Sequence, residues 1–244
     1  MKFDSVFIDS LRKIDASWID FLTPQHIKLV RSIESQIIKN GIDYTPSSNR
    51  VFHFLTLPLN EVRVVILGQD PYPRKGVATG RAFEVGTLKS WHDSFNNISL
   101  KNIIRAIYYA YHHQYLKYTE IKEKLEHSFP ILPPGKFFKR WEKQGVLLLN
   151  TSFTCETGKP NSHESLWYPF TQELLRYIHQ KNDRIIWFIW GNNAKSITSK
   201  IKINHKIESM HPMMCYNKPG RDDDFLFGKI NPFVETKNMI NWLG

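Results

Sequence analysis

An α/β fold is what the sequence predicts: a single domain with a small, mostly parallel four-stranded sheet, helices on both faces and a helical N-terminal extension. Three observations carry this. Short continuous apolar runs at residues 62–67, 146–149 and 184–190 each end in Gly, Asn or another loop former, the pattern of strands buried on both faces. The longer stretches between them repeat their apolar residues at helical spacing. No internal repeat, low-complexity tract or Gly/Ser linker divides the 244 residues, and the 13 prolines are spread over several loops.

Taken in order, residues 1–61 read as a helical segment packed on a core built by residues 62–244. Trp18, Phe21 and Leu22 begin an apolar pattern that Ile27, Leu29, Val30, Ile33, Ile37 and Ile38 continue until Asn40-Gly41 ends it. The strand at 62–67 follows. Helical patterns at 100–111, 121–125 and 137–143 separate it from the strand at 146–149, and another at 165–180 precedes the strand at 184–190. A weaker run at 206–210 reads as a fourth strand, and the amphipathic segment 232–243 as a closing helix. Right-handed crossovers then give a parallel sheet covered on both sides.

Thirty-three Lys and Arg against 23 Asp and Glu give a net charge of +10 with His neutral. Such a surplus suits a polyanionic partner, nucleic acid or an anionic membrane, and equally suits plain solubility. The two cysteines, Cys155 and Cys215, are far apart and form no CxxC pair, so neither a disulfide framework nor a cysteine zinc site is indicated. No uncharged apolar run approaches the ~20 residues of a membrane span, and acids interrupt what would have to be the apolar core of a signal peptide in MKFDSVFIDSLRK. A cytoplasmic protein is expected.

Ligands of open α/β sheets bind just beyond the carboxyl ends of the strands. Here the first strand runs into Gly68-Gln69-Asp70-Pro71-Tyr72-Pro73, the second into Asn150-Thr151, the third into Gly191-Asn192-Asn193 and the fourth into His211-Pro212. A carboxylate, an amide, a small-residue loop and an imidazole therefore share one edge, and a site is expected there. Phosphate-loop, nucleophile-elbow, HExxH and dinucleotide fingerprints are absent. Asp222-Asp223-Asp224 is read as a solvated loop rather than a metal site.

The motifs VVILGQDPYP, RAFEV, GVLLLNTSFT, IIWFIWGNNAK and His211-Pro212 follow one another in the order and spacing of uracil-DNA glycosylases. The chain resembles the first and best-known branch of that family from about Val62 to its C-terminus. The resemblance implies hydrolysis of the bond between uracil and deoxyribose in DNA, through an oxocarbenium-like sugar and a departing anionic base, with neither cofactor nor metal. Asp70 matches the residue that orients the attacking water, and His211 the donor to O2 of the leaving base. Asn150 matches the amide that reads uracil and rejects cytosine. Phe83 matches the aromatic that stacks on the flipped base, Tyr72 the guard against a C5 methyl, and Gln69 a backbone contact to the base. Ser99, Gly191, Asn192, Pro212 and Met213 correspond to contacts with the DNA backbone. His163 matches a residue behind the site, and Lys195, Lys200, Lys202 and Lys206 read as a basic track or a solvated face. The implied partner is DNA, single- or double-stranded, met by a monomer without a membrane; no protein inhibitor or replication partner is specified.

Three positions depart from the family pattern. Pro73 stands where the best-known members have histidine, and Asn192 where their glycine-serine loop has serine. The loop MMCYNKPGRDDDFLFG is longer than usual and lacks the leucine wedge, for which Met213 or Met214 offers an apolar substitute. These departures leave two alternatives open: a glycosylase for a C5-modified pyrimidine, and a catalytically inactive DNA-binding adaptor.

Overall fold

In the computed structural model, which describes residues 2–39, 41–125 and 127–244, four parallel strands form the sheet. Six strands and nine α-helices are labelled here in chain order. Helices α1 (Val6–Asp9), α2 (Pro24–Lys39) and α3 (Ser48–Val51) lie in the N-terminal segment with the short strand β1 (Tyr44–Thr45). The sheet strand β2 (Val64–Gly68) leads to α4 (Ile98–His112), α5 (Tyr118–Lys122) and α6 (Pro134–Lys143). Then come β3 (Val146–Asn150), the two-residue β4 (Cys155–Glu156), α7 (Glu164–Lys181), β5 (Ile186–Trp190), α8 (Gly191–Thr198), β6 (His205–Ser209) and α9 (Pro232–Thr236).

The sheet order is β3-β2-β5-β6, all parallel, with Val64 beside Val146 and Ile186, and Ile186 beside His205. The side-chain period of two divides β2, β3 and β5 between two cores. Val64, Ile66, Val146, Leu148, Phe188 and Trp190 face one cluster with α4, α6 and α9. Val65, Leu67, Leu147, Leu149, Trp187 and Ile189 face the other, with α2, α7 and the N-terminal segment. The continuous apolar runs follow directly from this two-sided burial. β6 is an edge strand, exposed at His205, Lys206 and Glu208, and its charges discourage pairing with another chain.

Two expectations need correction. The N-terminal segment is not purely helical, because β1 pairs antiparallel with β4, Tyr44 opposite Glu156. A two-residue ribbon leaves no periodicity to read. The closing helix spans only Pro232–Thr236, started by Asn231, whose carboxamide accepts the Phe233 and Val234 amides. Beyond it, Ile240 and Trp242 are fully buried and the chain is carried by turns, so apolar spacing there reflects core packing rather than helix. At the end of α2, Gly41 takes a left-handed φ of +61°, while Asn40 lies outside the described residues. Cys155 and Cys215 are both free thiols. Among the described residues no helix is long and apolar enough to cross a membrane.

The N-terminal segment is tied down by one buried acid. Glu34 on α2 is 6% exposed and accepts both the Ser5 hydroxyl (2.6 Å) and the Phe7 amide (2.7 Å), which brings Phe7 into the second core against Trp167. Replacing Glu34 with Ala strands both donors, so a loss of about 1–3 kcal/mol is expected. That corresponds to a fall of about 2–4 °C in Tm for each kcal/mol in a chain of this size. Thermal unfolding followed by circular dichroism checks it, and an unchanged Tm would show that Glu34 anchors nothing.

Candidate active site

The site begins where β2 and β3 end side by side. Gly68 is in register with Asn150, and a Cβ there would run into the Asn150 carboxamide oxygen and come within 2.7 Å of Ala82 Cβ. Only glycine allows this three-way approach. Asn150 is 6% exposed, and its carboxamide finds no hydrogen-bond partner among the described residues. A buried amide left open in this way is poised to accept and donate at once to a ligand. Beyond the strand, the Gln69 carbonyl accepts the Ser152 amide (2.8 Å) and the Thr151 hydroxyl (3.0 Å), fixing the chain as it enters the Asp70 turn.

Asp70 Oδ2 accepts the backbone amide of Asn161 (2.7 Å), which sits in left-handed conformation (φ +64°) just before α7. Burial raises the Asp70 pKa above its ordinary 3.8. The Asn161 hydrogen bond works against that shift, and the nearby Glu164 carboxylate adds to it. Behind Asn161, His163 is 5% exposed; its Nδ1 lies 2.9 Å from the Thr154 hydroxyl, which also accepts the Trp167 indole N–H (2.7 Å). His163 thus supports the turn from beneath, and burial lowers its pKa.

Tyr72 and Phe83 belong to one small wall. The Tyr72 hydroxyl donates to the Phe83 carbonyl (3.3 Å), and burial raises the phenol's pKa, so it stays protonated. Phe83 has φ +64°, a conformation that a bulky residue adopts at a cost of about 1–3 kcal/mol and only where its surroundings enforce it. Its ring centroid lies 5.5 Å from that of Trp190 and 6.4 Å from that of His211. Around it the chain is held by charge: Arg81 pairs with Glu84 (2.9 Å) and with Glu142 of α6 (2.6 Å), and Glu142 also meets His53 (2.8 Å). Burial alone would raise the Glu142 pKa, but hydrogen bonds from His53 and Arg81 outweigh it and hold the carboxyl below its ordinary value.

His211 follows β6 and meets the start of α8. Gly191, with φ +84°, lies so close that a Cβ would stand 2.8 Å from His211 Cβ. There is no separate loop here: the chain passes from β5 straight into α8, leaving Asn192 exposed in its first turn. His211 Nδ1 accepts the Met213 amide (3.2 Å), which assigns the ring proton to Nε2, and burial lowers its pKa below the ordinary 6.5. A neutral imidazole with Nε2–H free is a donor suited to a developing oxyanion.

Pro212 is held by its carbonyl, which accepts from the buried Asn102 amide of α4 (2.7 Å). This brings the first turn of α4, with Ser99 half-buried in it, beside the histidine loop. Met213 and Met214 stand 53% and 42% exposed at the loop tip, near an exposed Tyr216.

The eleven residues expected to touch base, sugar or phosphate lie at or beside this edge, with Ser99 brought there by the Asn102–Pro212 hydrogen bond. Lys195 lies 3.8 Å from Asp223 and Lys206 3.1 Å from Glu208, while Lys200 and Lys202 are exposed.

The solvated-loop expectation holds for Asp222 and Asp223 but not for Asp224, which is 1% exposed and accepts the amides of Tyr216, Leu226 and Phe227. Arg221 lies 3.4 Å from that carboxylate. Asp224 thus organises the long loop from inside, while Asp222 and Asp223 stand at its surface. Sequence reasoning misses Asn102, Asn161 and Glu142. Of these only Asn102 carries a local signal, an amide at a helix position that the apolar pattern leaves for the core.

Residues 55–235 match the family described as the uracil DNA glycosylase superfamily. A protein of Fusobacterium nucleatum named uracil-DNA glycosylase is 32% identical over 242 residues, covering 96% of this chain and 94% of its own length. One of the same name from Borreliella burgdorferi is 34% identical over 241 residues, covering 94% and 98%. Among solved structures, mimivirus uracil-DNA glycosylase superposes with a TM-score of 0.66 at 24% identity, covering 84% of this chain and 71% of that one. The wild-type UNG of Nitratifractor salsuginis gives 0.66 at 25%, covering 82% and 85%. With this fold, this edge and these relatives, the chain belongs to the uracil-DNA glycosylase superfamily.

Proposed function

We propose that this chain is a monofunctional DNA glycosylase that hydrolyses the N-glycosidic bond of uracil in DNA and leaves an abasic site for repair. The observation that carries this reading is that one sheet edge holds an open buried amide (Asn150) and a carboxylate (Asp70) at the ends of paired strands, and an imidazole (His211) whose ring lies 6.4 Å from that of Phe83. Asp70, with one oxygen on the Asn161 amide, turns the other toward a water and faces the sugar cation as it develops. His211 donates from Nε2 to O2 of the departing uracil. Asn150 donates to O4 and accepts from N3–H, while Phe83 stacks on the base; Gln69 contributes through its backbone. Ser99, Gly191, Asn192 and Pro212 line the path of the phosphates, and Met213, with Met214, fills the gap left by the flipped nucleotide.

The Tyr72 ring is fastened at its hydroxyl by the Phe83 carbonyl, which favours a guarded pocket and hence uracil over a C5-modified base. Retention of the full set of reacting groups favours an enzyme over an adaptor. We place it as a cytoplasmic monomer acting on DNA, with residues 1–61 as a scaffold packed on the 62–244 core.

Replacing Asp70 with Asn is expected to lower turnover by about 10²–10⁴, while affinity for DNA stays within a few-fold. Because burial favours the protonated acid, the ionised Asp70 weakens folding above its folded-state pKa, and this penalty vanishes at low pH. The Asn variant should therefore melt no lower than the parent at neutral pH. Single-turnover excision from a uracil oligonucleotide, with a binding titration beside it, tests this; unchanged turnover would remove Asp70 from the chemistry.

The pH profile gives a second test. Asp70 is displaced upward from 3.8 and His211 downward from 6.5, and the chemistry needs the carboxylate ionised and the imidazole neutral, so kcat/KM should fall along an acid limb as either group takes up a proton and show no loss on raising pH through neutrality. Activity that rises as pH falls from neutral, with loss on the alkaline side, would show His211 working in its protonated form.

Replacing Tyr72 with Ala should admit thymine, at a large loss of overall rate. Faster release of a C5-substituted pyrimidine than of uracil by the parent enzyme would show that Tyr72 does not guard the pocket.

A further inference from the structure

The wall that carries Phe83 is built at unusual electrostatic cost. Three side chains that ordinarily seek water, Arg81, Glu84 and Glu142, are 11%, 8% and 7% exposed, and His53 is 22% exposed. Removing such groups from water is unfavourable, and a buried ion pair is by itself poor evidence of a contribution to stability. The Arg81 guanidinium uses its two terminal nitrogens on two different carboxylates, while its Nε has no partner among the described residues. One of those carboxylates, Glu84, is the residue after Phe83; the other, Glu142, stands on α6 and is itself fixed by His53. The Ala82 amide adds a bond to the Leu148 carbonyl of β3 (3.3 Å). Phe83, in left-handed conformation, is thus flanked by residues fastened to the sheet and to α6.

We propose that Arg81, with Glu142 as its anchor, is a positioning clamp that holds Phe83 in its left-handed conformation, so that the ring is already in stacking position before a nucleotide is flipped. This rests on the reading of Phe83 as the ring that stacks on the base. The planar fork of arginine is needed because two carboxylates on different elements must be held at once, which the point charge of lysine does not do. Neither Arg81 nor Glu142 touches the base; each acts through Phe83.

The test is a double-mutant cycle on a uracil-containing oligonucleotide, using Arg81→Lys, Phe83→Ala and their combination. The isosteric Glu142→Gln variant is carried in parallel, in case the lysine variant folds poorly. Arg81→Lys should lower kcat/KM by between about tenfold and a hundredfold, the scale of a misplacement near 1 Å. Hydrogen exchange across residues 79–85 should also speed up. In the Phe83→Ala background the same replacement should change kcat/KM by less than about twofold, since coupled positions are not additive.

A full loss on top of Phe83→Ala would reduce the clamp to general structural support. A normal Arg81→Lys enzyme beside a weak Phe83→Ala enzyme would overturn the clamp alone. A Phe83→Ala enzyme with undiminished kcat/KM would remove the stacking reading and the clamp together.

Discussion

The site depends on the absence of a side chain at position 68. β2 runs through the middle of the sheet, and at its last residue both Asn150 and Ala82 close to distances that leave no space for a Cβ. That approach sets the Asn150 amide at the strand end and brings the segment ahead of Phe83 down onto β3. Gly191 does the same at the end of the neighbouring strand β5, where it admits the His211 backbone. Two glycines at adjacent strand ends thus let three separate loops converge more closely than ordinary residues would permit. The parallel sheet supplies the rest, since its strand ends all open on the same side.

The sheet is readable in the sequence because both its faces are buried. Each of β2, β3 and β5 is an apolar run, and the division of its alternate residues between two cores needs no further code; the polar edge strand β6 gives the weakest signal. The reactive groups are readable because they sit within two or three residues of those strand ends. What escapes such reading works across the chain. Glu142 meets Arg81 across 61 residues and His53 across 89, and Asn102 reaches Pro212 across 110. No local pattern announces such pairs. The Asn161 contribution is a backbone amide, which every residue but proline owns, so its identity could not mark it. The closing helix is overextended by periodicity for a related reason: Ile240 and Trp242 face the core from turns.

Charge near the site is more balanced than the net +10 suggests. Asp222 holds Lys229 at 2.5 Å, Asp223 lies near Lys195, and Asp224 is occupied by three backbone amides and Arg221. The long loop after His211 is therefore braced from inside by Asp224 and carries an apolar tip, while Asp222 and Asp223 stand exposed beside lysines. Exposed methionines on a well-held backbone offer adaptable apolar contact without a disordered loop behind them.

The hydrogen bond from the Met213 amide to His211 Nδ1 links that loop to the imidazole in a further way. An Nδ1 that accepts cannot also carry a proton, so charging the ring would set two donors against each other and break the bond. Loop geometry and ring charge are then linked quantities, and by reciprocity whatever steadies the loop also resists the proton. The backbone at Met213 acts as a lock on the tautomer, and the loop that carries it helps hold the imidazole uncharged.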